Sequence, residues 1–548
     1  MTTIPSQLND IKDTDLVYAN NNLAIEPLVD QWYAWAHLIS PATAALNIKN
    51  RHIGIMNSYI SYPAAHAAAV KKPEMLGGPF IDYNGERVDE IRELKDRTLV
   101  KCARLLELSE SIQQLNTLLA QEAKGYALGP LYAKVPENLR GLVELYYDMN
   151  NNASFRFFEP LLYNTPYYDD TLQSINLLTI QDDDSRPFVL STPRLDNPEI
   201  MARNIPFNDP RIDILFQSCQ QPVLFSTLKT LFEVTPEEEP LFKSFFTREA
   251  PKKYEKYNGE GALTRYFGHA CILVETKDVS ILVDPVISYV YESDISRYTF
   301  ADLPDKIDFV FITHNHQDHV LLETLLRIRH KVGHIVVPRN NGGELQDPSL
   351  KLVFERLGFK NIIELNEMDT LHFNSVSITG IPFLGEHSDL NIRSKICPLV
   401  SFKNNFKILF AADSCNLEPC IYERIQLITG DIDVIFLGME CEGAPLSWLY
   451  GPLLPKALDR EKDQTRRLAG SNYNEAKALI DVFKPKDVFV YAMGMEPWLK
   501  YISSIKYTDE SRPIVESNQI LSYCNKQDIV AERLFGEKIL EYATTLEA

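Results

Sequence analysis

The chain of 548 residues is long enough for two or three domains. Its composition, 45% hydrophobic and 24% charged, is ordinary for a globular protein. The formal net charge of −20 argues against sequence-independent binding to nucleic acid or to anionic membranes.

Two further features of the composition bear on the cellular compartment. No apolar run reaches the roughly eighteen residues of a membrane-spanning helix, and the polar, mixed-charge residues 1–18 argue against a secretion signal. The eight cysteines include no CxxC pair, so neither a zinc ribbon nor a disulfide framework is predicted. We therefore expect a cytoplasmic protein with reduced thiols.

Residues 1–245 predict a mixed α+β domain in which helical periodicity alternates with proline-broken segments. Apolar residues recur at three- and four-residue spacing over residues 88–123, which predicts one amphipathic helix. Further helices are predicted over residues 139–147 and 224–232. We find no cluster of metal-ligating residues and no glycine-rich phosphate loop in this part of the sequence.

A domain boundary is predicted at residues 235–240, where two prolines and three adjacent glutamates resist regular structure. From residue 250 to residue 548 the pattern changes to short strands that alternate with helices. The predicted strands are 265–267, 270–274, 279–283, 309–312, 334–337, 375–381, 407–411, 434–437 and 488–492. Helices are predicted over residues 321–331 and 474–483, the second with a capping box formed by Asn472 and Glu475. This alternation predicts a layered α/β domain with its site along one edge.

The segment from Thr313 to His319 is the most informative part of the chain, because it places three imidazoles and one carboxylate directly after an apolar run. Side chains of these types are costly to bury without a partner, and a metal ion is the partner that suits them best. In this HxHxDH pattern, His314 and His316 are expected to face one metal ion. Asp318 and His319 are expected to face a second.

Further acidic and imidazole side chains occur where other predicted strands begin or end. They are His269, Asp284, Glu386, His387, Asp413 and Glu440. Of these, His269 is expected to be a packed or supporting histidine. Glu442 is a rival to Glu440, because residues two positions apart on a strand share a face.

With these motifs in this order, residues 262–495 resemble the metallo-β-lactamase superfamily, which has an αββα sandwich and a two-metal site at one edge. The matching elements are Asp284, the HxHxDH segment, the Glu386–His387 position and Asp413. The resemblance implies that Asp413 bridges both ions. It also implies that Asp284 orients the HxHxDH loop without binding metal.

Two departures from the superfamily pattern concern the kind of metal. The late strand over residues 488–492 is not followed by the usual histidine, and the third motif offers a carboxylate, Glu386, beside an imidazole, His387. A hydrolytic zinc pair favours imidazole, whereas oxygen donors suit iron or manganese better. Asp318, Glu386, Asp413 and Glu440 together would balance the charge of two ferrous ions.

The whole chain resembles a narrower family, the di-iron β-hydroxylases of the chloramphenicol-pathway type, which join this fold to a long N-terminal domain. The likeness includes residues 131–148, 186–193 and 385–390. It implies that His314, His316 and Glu386 bind one iron. It further implies that Asp318 and His319 bind the other, with Asp413 bridging and Glu440 a further ligand or near neighbour.

The resemblance implies an oxygen-dependent monooxygenase with two iron ions, dioxygen as cosubstrate and an external electron donor. Its expected substrate is an amino acid tethered to a carrier domain of a nonribosomal peptide synthetase, hydroxylated at the β-carbon. The N-terminal domain is expected to form homodimer contacts and to help dock the carrier domain. The alternative is a hydrolase with two zinc ions, acting on a lactone, thioester or phosphodiester, which gains support if His387 coordinates instead of Glu386.

Residues 445–468 leave two interpretations open. Their apolar first half and charged second half lie between two strands whose ends border the predicted site. The segment is therefore either a mobile cover over the substrate pocket or an ordinary surface helix.

Overall fold

The computed structural model describes residues 11–183 and 186–542. Residues 1–10, part of the start for which no secretion signal is expected, lie outside the described residues. Within the described ranges, no helix combines the length and apolar character needed to cross a membrane.

Two seven-stranded sheets form the centre of the C-terminal part. The first sheet has the strand order Ile362–Leu365, Val332–Pro338, Ile307–Phe311, Ser280–Val283, Ile272–Glu275, Ala262–Tyr266 and Lys538–Tyr542. The second sheet has the order Thr370–Phe373, Val376–Pro382, Ile396–Phe402, Lys407–Phe410, Val434–Gly438, Asp487–Tyr491 and Val530–Arg533. Each sheet is parallel in one half and antiparallel in the other. The parallel halves provide the strand ends that carry Asp284, the HxHxDH segment, Asp413 and Glu440, whereas Glu386 and His387 follow the antiparallel strand Val376–Pro382.

The two sheets pack face to face around an apolar core, to which Phe311 and Val336 contribute from one sheet and Phe410 and Phe436 from the other. The outer face of the second sheet is covered by the helices Pro419–Thr429, Tyr473–Phe483 and Arg512–Lys526. The outer face of the first sheet is covered by Leu322–Ile328 and Leu350–Arg356. The shorter helices of this part are Leu446–Leu449, Arg460–Thr465 and Lys500–Ser503. This αββα sandwich confirms the predicted metallo-β-lactamase-like fold.

The N-terminal part mixes small sheets with helices, as predicted. Its strands are Leu16–Ala19, Leu23–Val29, Trp32–Tyr33, Val143–Tyr147, Ala153–Phe157, Gln173–Thr179, Met201–Arg203, Val223–Leu224 and Phe246–Thr247. Its α-helices are Ala36–Ile39, Pro41–Asn47, Ile53–Ser61, Pro63–Ala69, Val88–Lys101, Ala103–Glu122, Glu159–Leu162, Pro210–Gln217, Phe225–Leu231 and Glu239–Ser244. Its apolar side chains form one continuous core with the outer face of the first sheet. The boundary near residue 245 stays a prediction.

Two predicted helices of the N-terminal part are wrong in detail. The helix predicted over residues 88–123 is divided into two at Cys102, whose backbone angles (φ −94°, ψ 18°) leave the helical region. Apolar periodicity continues across that break, so the pattern could not reveal it. Residues 143–147 form a strand, with Val143 and Leu145 buried on one face, because this β-branched and aromatic segment pairs with Ala153–Phe157.

The predicted helices at residues 224–232 and 474–483 are confirmed as Phe225–Leu231 and Tyr473–Phe483. The capping box is also present. The side chain of Asn472 accepts hydrogen bonds from backbone N–H groups of the first turn, and the side chain of Glu475 accepts one from the N–H of Asn472.

Candidate metal centre

The HxHxDH loop is held in place by Asp284, a fully buried carboxylate at the end of the neighbouring parallel strand. Its Oδ1 accepts a hydrogen bond from the backbone N–H of Thr313 (2.8 Å), and its Oδ2 accepts one from the Thr313 hydroxyl (2.6 Å). The same Oδ2 lies 2.7 Å from Nδ1 of His319. Asp284 thus fixes both ends of the loop, which is the supporting role predicted for it.

His319 lies between two carboxylates. Its Nδ1 faces Asp284 and its Nε2 lies 3.0 Å from Oδ2 of Asp413. Burial lowers the pKa of His319, but the negative charges of Asp413 and Asp284 outweigh burial and raise that pKa well above its ordinary value. A metal ion at Nε2 would replace the proton there and satisfy the same carboxylate.

One group of donor atoms consists of His314, His316 and Glu386, whose candidate ligand atoms lie within 4.8 Å of one another. Nδ1 of His316 lies 2.5 Å from Oε1 of Glu386. Nδ1 of His314 lies 2.9 Å from the Thr313 hydroxyl, which leaves Nε2 of His314 directed toward the donors. Burial, followed by the nearby His319, lowers the pKa of His314 well below its ordinary value, so the ring is neutral as a metal ligand must be.

A second group consists of His314, His319 and Asp413, and a third of His269, Asp318 and His319. Asp413 therefore lies against donors of both halves of the HxHxDH motif, as a bridging carboxylate must. Gly438 makes this approach possible, because a Cβ atom there would lie 2.7 Å from Oδ1 of Asp413.

Several buried polar atoms of the site lack the partner that a metal ion would provide. Nε2 of His314 and Oδ1 of Asp413 are both buried without a hydrogen-bond partner among the described residues. Such orphaned atoms are rare in native proteins unless a ligand or ion satisfies them. Three carboxylates and three imidazoles within one buried cluster fit two divalent ions of intermediate hardness.

Glu386 and His387 lie side by side and contact each other, with Oε2 of Glu386 2.8 Å from Nδ1 of His387. The Glu386 carboxylate belongs to the donor group with His314 and His316, whereas His387 belongs to none of the donor groups among the described residues. The His387 ring stacks on His316, with ring centroids 4.4 Å apart. Glu386 adopts a left-handed backbone (φ 63°) directly after Gly385, where a Cβ atom would lie 2.5 Å from Cβ of Cys415. This tight turn directs the carboxylate toward the histidines.

His269 lies beside Asp318, and both belong to the third donor group. Its Nδ1 accepts a hydrogen bond from the backbone N–H of Gly494 (3.2 Å), which leaves Nε2 on the side of Asp318. That Nε2 lies 3.2 Å from Oδ2 of Asp318. Gly494 follows the late strand Asp487–Tyr491, in the region where the superfamily usually has a histidine. Here the backbone of this region holds the ring of His269, which belongs to the other sheet, through that hydrogen bond.

Glu440 lines the same cavity as the donors but belongs to none of the three donor groups. It is half-buried, whereas its rival Glu442 is exposed. Burial and the nearby charges of Asp413 and Asp318 raise the pKa of Glu440 well above its ordinary value. Its role as a ligand stays a prediction.

Tyr450 is a site residue that sequence reasoning missed. Its buried hydroxyl lies 2.9 Å from Nε2 of His316, 134 positions away in the chain. Nothing local in the sequence distinguishes this tyrosine from the others in the chain. The first half of residues 445–468 is packed, with Leu446 and Tyr450 in the core, and the helix Arg460–Thr465 follows at the surface.

We expect Tyr450→Phe to weaken iron binding by about tenfold while leaving the fold intact. If His316 binds metal through Nδ1, its Nε2–H donates to Tyr450, and loss of such a partner costs about 10- to 100-fold in metal affinity. The measurement is a competition titration of bound iron against a chelator. Tyr126→Phe, at an exposed tyrosine, is the control, and equal affinities for the two variants would contradict the assigned hydrogen bond.

Two known families match different parts of the chain. Residues 18–251 match the family described as "Diiron non-heme beta-hydroxylase N-terminal domain". Residues 280–442 match the "Beta-lactamase superfamily domain".

Individual relatives match over almost the full length. The chain is 40% identical over 529 residues to the 4-amino-L-phenylalanyl-[CmlP-peptidyl-carrier-protein] 3-hydroxylase of Streptomyces venezuelae. The aligned region covers 95% of this chain and 98% of that protein. The crystal structure of CmlA, a diiron β-hydroxylase from Streptomyces venezuelae, superposes with a TM-score of 0.89 at 38% identity, covering 96% of this chain and 100% of that one. A mutant of the CmlA β-hydroxylase superposes with a TM-score of 0.87 over the same shares of the chains, also at 38% identity.

Proposed function

Because this chain belongs to the family of diiron non-heme β-hydroxylases, we propose that it hydroxylates the β-carbon of an aminoacyl group tethered to a peptidyl carrier domain. The observation that carries the proposal is the 40% identity, over 95% of the chain, to an enzyme that acts on a carrier-bound aminoacyl group.

Six side chains are proposed to hold the two iron ions. His314, His316 and Glu386 would bind one ion, and Asp318 and His319 the other, with Asp413 shared between them. The donor groups and the orphaned atoms of His314 and Asp413 support this arrangement. When bound, the ions supply the redox chemistry that activates dioxygen, which we propose as the cosubstrate.

The protein's own contribution is to orient the donors and to shield the reacting carbon from water. Asp284 and His269 orient His319 and Asp318 from behind. A cavity of about 430 Å³ adjoins the donors, and Phe188, Leu190 and Ile502 give it an apolar wall. An apolar wall beside the donors favours attack on a C–H bond over release of a reactive species into water.

The zinc hydrolase is disfavoured by the position of Glu386. A hydrolytic zinc pair would have an imidazole as the third donor beside His314 and His316, and His387 is the imidazole available. It is the carboxylate of Glu386 that lies with His314 and His316. The family of the chain agrees with the oxygenase.

The remaining partners are proposals that follow from the family. We propose that residues 1–245 form homodimer contacts and help dock the carrier domain, that residues 250–548 carry the reaction, and that an external donor supplies electrons. The cytoplasmic location is supported by the eight cysteines, all of which are free thiols.

The proposed function predicts a gain of one oxygen atom by a carrier-bound aminoacyl group. Anaerobically prepared protein is loaded with ferrous iron, reduced, and exposed to dioxygen with a panel of aminoacyl carrier domains that includes the 4-amino-L-phenylalanyl group. Intact mass of the carrier measures the product, and iron analysis is expected to give about two ions per chain. Protein loaded with zinc is the control and should leave the carrier mass unchanged. Unchanged mass for every aminoacyl group with the iron-loaded protein would refute the proposal.

A further inference from the structure

The cavity beside the metal donors contains a carboxylate that the proposed ligand set does not use. Glu440 follows the strand Val434–Gly438, and its backbone is fixed by a hydrogen bond from the N–H of Gly470 to its carbonyl oxygen (2.8 Å). The side chain lines the cavity together with Asp318, Glu386 and Asp413. Glu440 is therefore held at a defined position next to the reaction site.

This carboxylate has no cationic partner within the described part of the chain. Its surroundings are acidic, since Asp413, Asp318 and Glu386 are the charges that act on it most strongly. Two cationic side chains line the cavity. Arg467 donates hydrogen bonds to the carbonyl of Gly443 (2.7 Å) and to Oε1 of Gln464 (2.8 Å), and Lys506 is exposed to solvent. Among the described residues no cationic side chain pairs with Glu440, so its carboxylate oxygens remain to accept hydrogen bonds from a ligand in the cavity.

Tyr507 provides a second unsatisfied polar atom on the same cavity. Its hydroxyl is buried without a hydrogen-bond partner among the described residues, although a tyrosine hydroxyl in such a position normally has one. Burial raises the pKa of Tyr507, and the neighbouring Glu440 carboxylate raises it further, so the hydroxyl stays protonated. A carboxylate and a hydroxyl on the same cavity provide acceptors for an ammonium group.

The proposed substrate carries one such group. An aminoacyl thioester has lost its carboxylate to the thioester bond but keeps a free α-ammonium group, two bonds from the β-carbon. A side chain that holds the ammonium group therefore also decides where the β-carbon lies relative to the metal donors. The apolar wall formed by Phe188, Leu190 and Ile502 remains for the side chain of the amino acid.

We propose that Glu440, assisted by the hydroxyl of Tyr507, binds the α-ammonium group of the aminoacyl substrate and so positions its β-carbon. This inference rests on the proposed function. Glu440 then has a positioning and specificity role, and it is not a seventh metal ligand.

The test compares two probes on two variants. The probes are L-phenylalanyl pantetheine as its stable amide and the matching 3-phenylpropionyl compound, which lacks the amino group. Iron-loaded protein is expected to bind the first about 10- to 100-fold more tightly than the second, the range for hydrogen bonds between charged groups. Glu440→Gln should lose most of that preference while its iron content and absorption spectrum stay unchanged. Glu423→Gln, at an exposed glutamate of the helix Pro419–Thr429 outside the cavity, should keep the preference.

Each outcome has a separate meaning. Loss of iron in Glu440→Gln would make Glu440 a ligand and overturn the inference while leaving the proposed function intact. Equal binding of the two probes by the unmodified protein, or equal weakening of both by Glu440→Gln, would also overturn the inference alone. If no aminoacyl probe binds and no aminoacyl carrier is oxidised, the proposed function fails and the inference fails with it.

Discussion

Replacing Asp413 by asparagine is expected to abolish hydroxylation and to leave less than two iron ions bound per chain. Asp413 is the donor that lies against His314 and His319 together, and its Oδ2 is 3.0 Å from Nε2 of His319. The amide keeps the shape of the side chain but removes the negative charge that two ions would share. The loss should exceed the roughly 10- to 100-fold effect expected for a residue that only supports a ligand.

The metal-free Asp413→Asn protein is expected to fold as well as the unmodified metal-free protein. Burial raises the pKa of Asp413, and the charges of Glu386 and Asp318 also disfavour its ionised form. Removing one charge from this acidic cluster therefore costs little until iron is present. Iron content, turnover and the thermal midpoint with and without iron give the result, with Glu423→Gln, at an exposed glutamate outside the cavity, as the control. Two tightly bound iron ions in the Asp413→Asn protein would refute the proposed bridging role.

Iron should also stabilise the unmodified protein, by the same reasoning. A ligand that binds the folded chain alone adds about 2.7 kcal/mol at 100 times its dissociation constant. The Asp413→Asn variant should lose most of this gain, so the thermal midpoints separate only in the presence of iron. This pattern distinguishes loss of metal binding from loss of folding.

The HxHxDH segment could be recognised from the sequence because its ligands lie within six positions of one another. The chain geometry of a strand followed by a loop brings these side chains to one sheet edge regardless of the rest of the fold. The positions of Asp284, Glu386 and Asp413 near the ends of apolar strands were visible in the sequence, but their roles were implied only by the resemblance to known families.

Contacts between distant segments could not be predicted in this way. Tyr450 reaches His316 across 134 positions, and the backbone of Gly494 fixes His269 across 225 positions. Each contact depends on the packing of two elements whose relative position no local pattern encodes. Strand Val143–Tyr147 was missed for a similar reason, because its partner strand decides its conformation.

The helix Leu322–Ile328 has an amphipathic sequence pattern but is buried on all sides, because the N-terminal part packs against it. Its sequence places Glu323, Thr324 and Arg327 among apolar residues, which is typical of an amphipathic surface helix. All seven residues are nevertheless buried. The N-terminal part covers the polar face, and Arg327 donates a hydrogen bond to the carbonyl of Asn21 (2.9 Å). Polar residues can thus mark a buried contact between two parts of one chain.

Replacing Glu323 by alanine is expected to destabilise the protein by about 3–5 kcal/mol, the cost of breaking a buried ion pair from one side. Its Oε2 accepts hydrogen bonds from the guanidinium of Arg186 (2.7 Å) and from the hydroxyl of Tyr33 (2.6 Å), and Tyr289 donates to its Oε1. Arg186 also lies 3.6 Å from the centre of the Tyr501 ring. The truncation would leave a buried cation and two buried hydroxyls with fewer acceptors.

A second carboxylate in the same cluster, Glu26, limits the loss of stability, because it also pairs with Arg186. Nη1 of Arg186 lies 3.3 Å from Glu26, which also accepts hydrogen bonds from Arg194 at 3.1 and 3.2 Å. Burial raises the pKa of Glu26, but the charges of Arg194 and Arg186 outweigh it and lower that pKa, so the carboxylate is ionised at neutral pH. Replacing Arg186 by methionine together with Glu323→Ala should therefore cost less than the sum of the two single changes, because no cation is left unpaired.

Urea unfolding followed by circular dichroism measures the loss of stability in Glu323→Ala and in the double variant. The urea midpoint reports a change of stability, and the slope reports a change in how much of the chain unfolds in one transition. Glu423→Ala, at an exposed glutamate of the helix Pro419–Thr429, is the matched control and should shift stability by no more than about 0.5 kcal/mol. Equal shifts for Glu323→Ala and Glu423→Ala would show that the ion cluster does not stabilise the contact between the two parts. If the unmodified chain unfolds in one transition and Glu323→Ala unfolds in two, the ion cluster is instead what makes the N-terminal part and the sandwich unfold together.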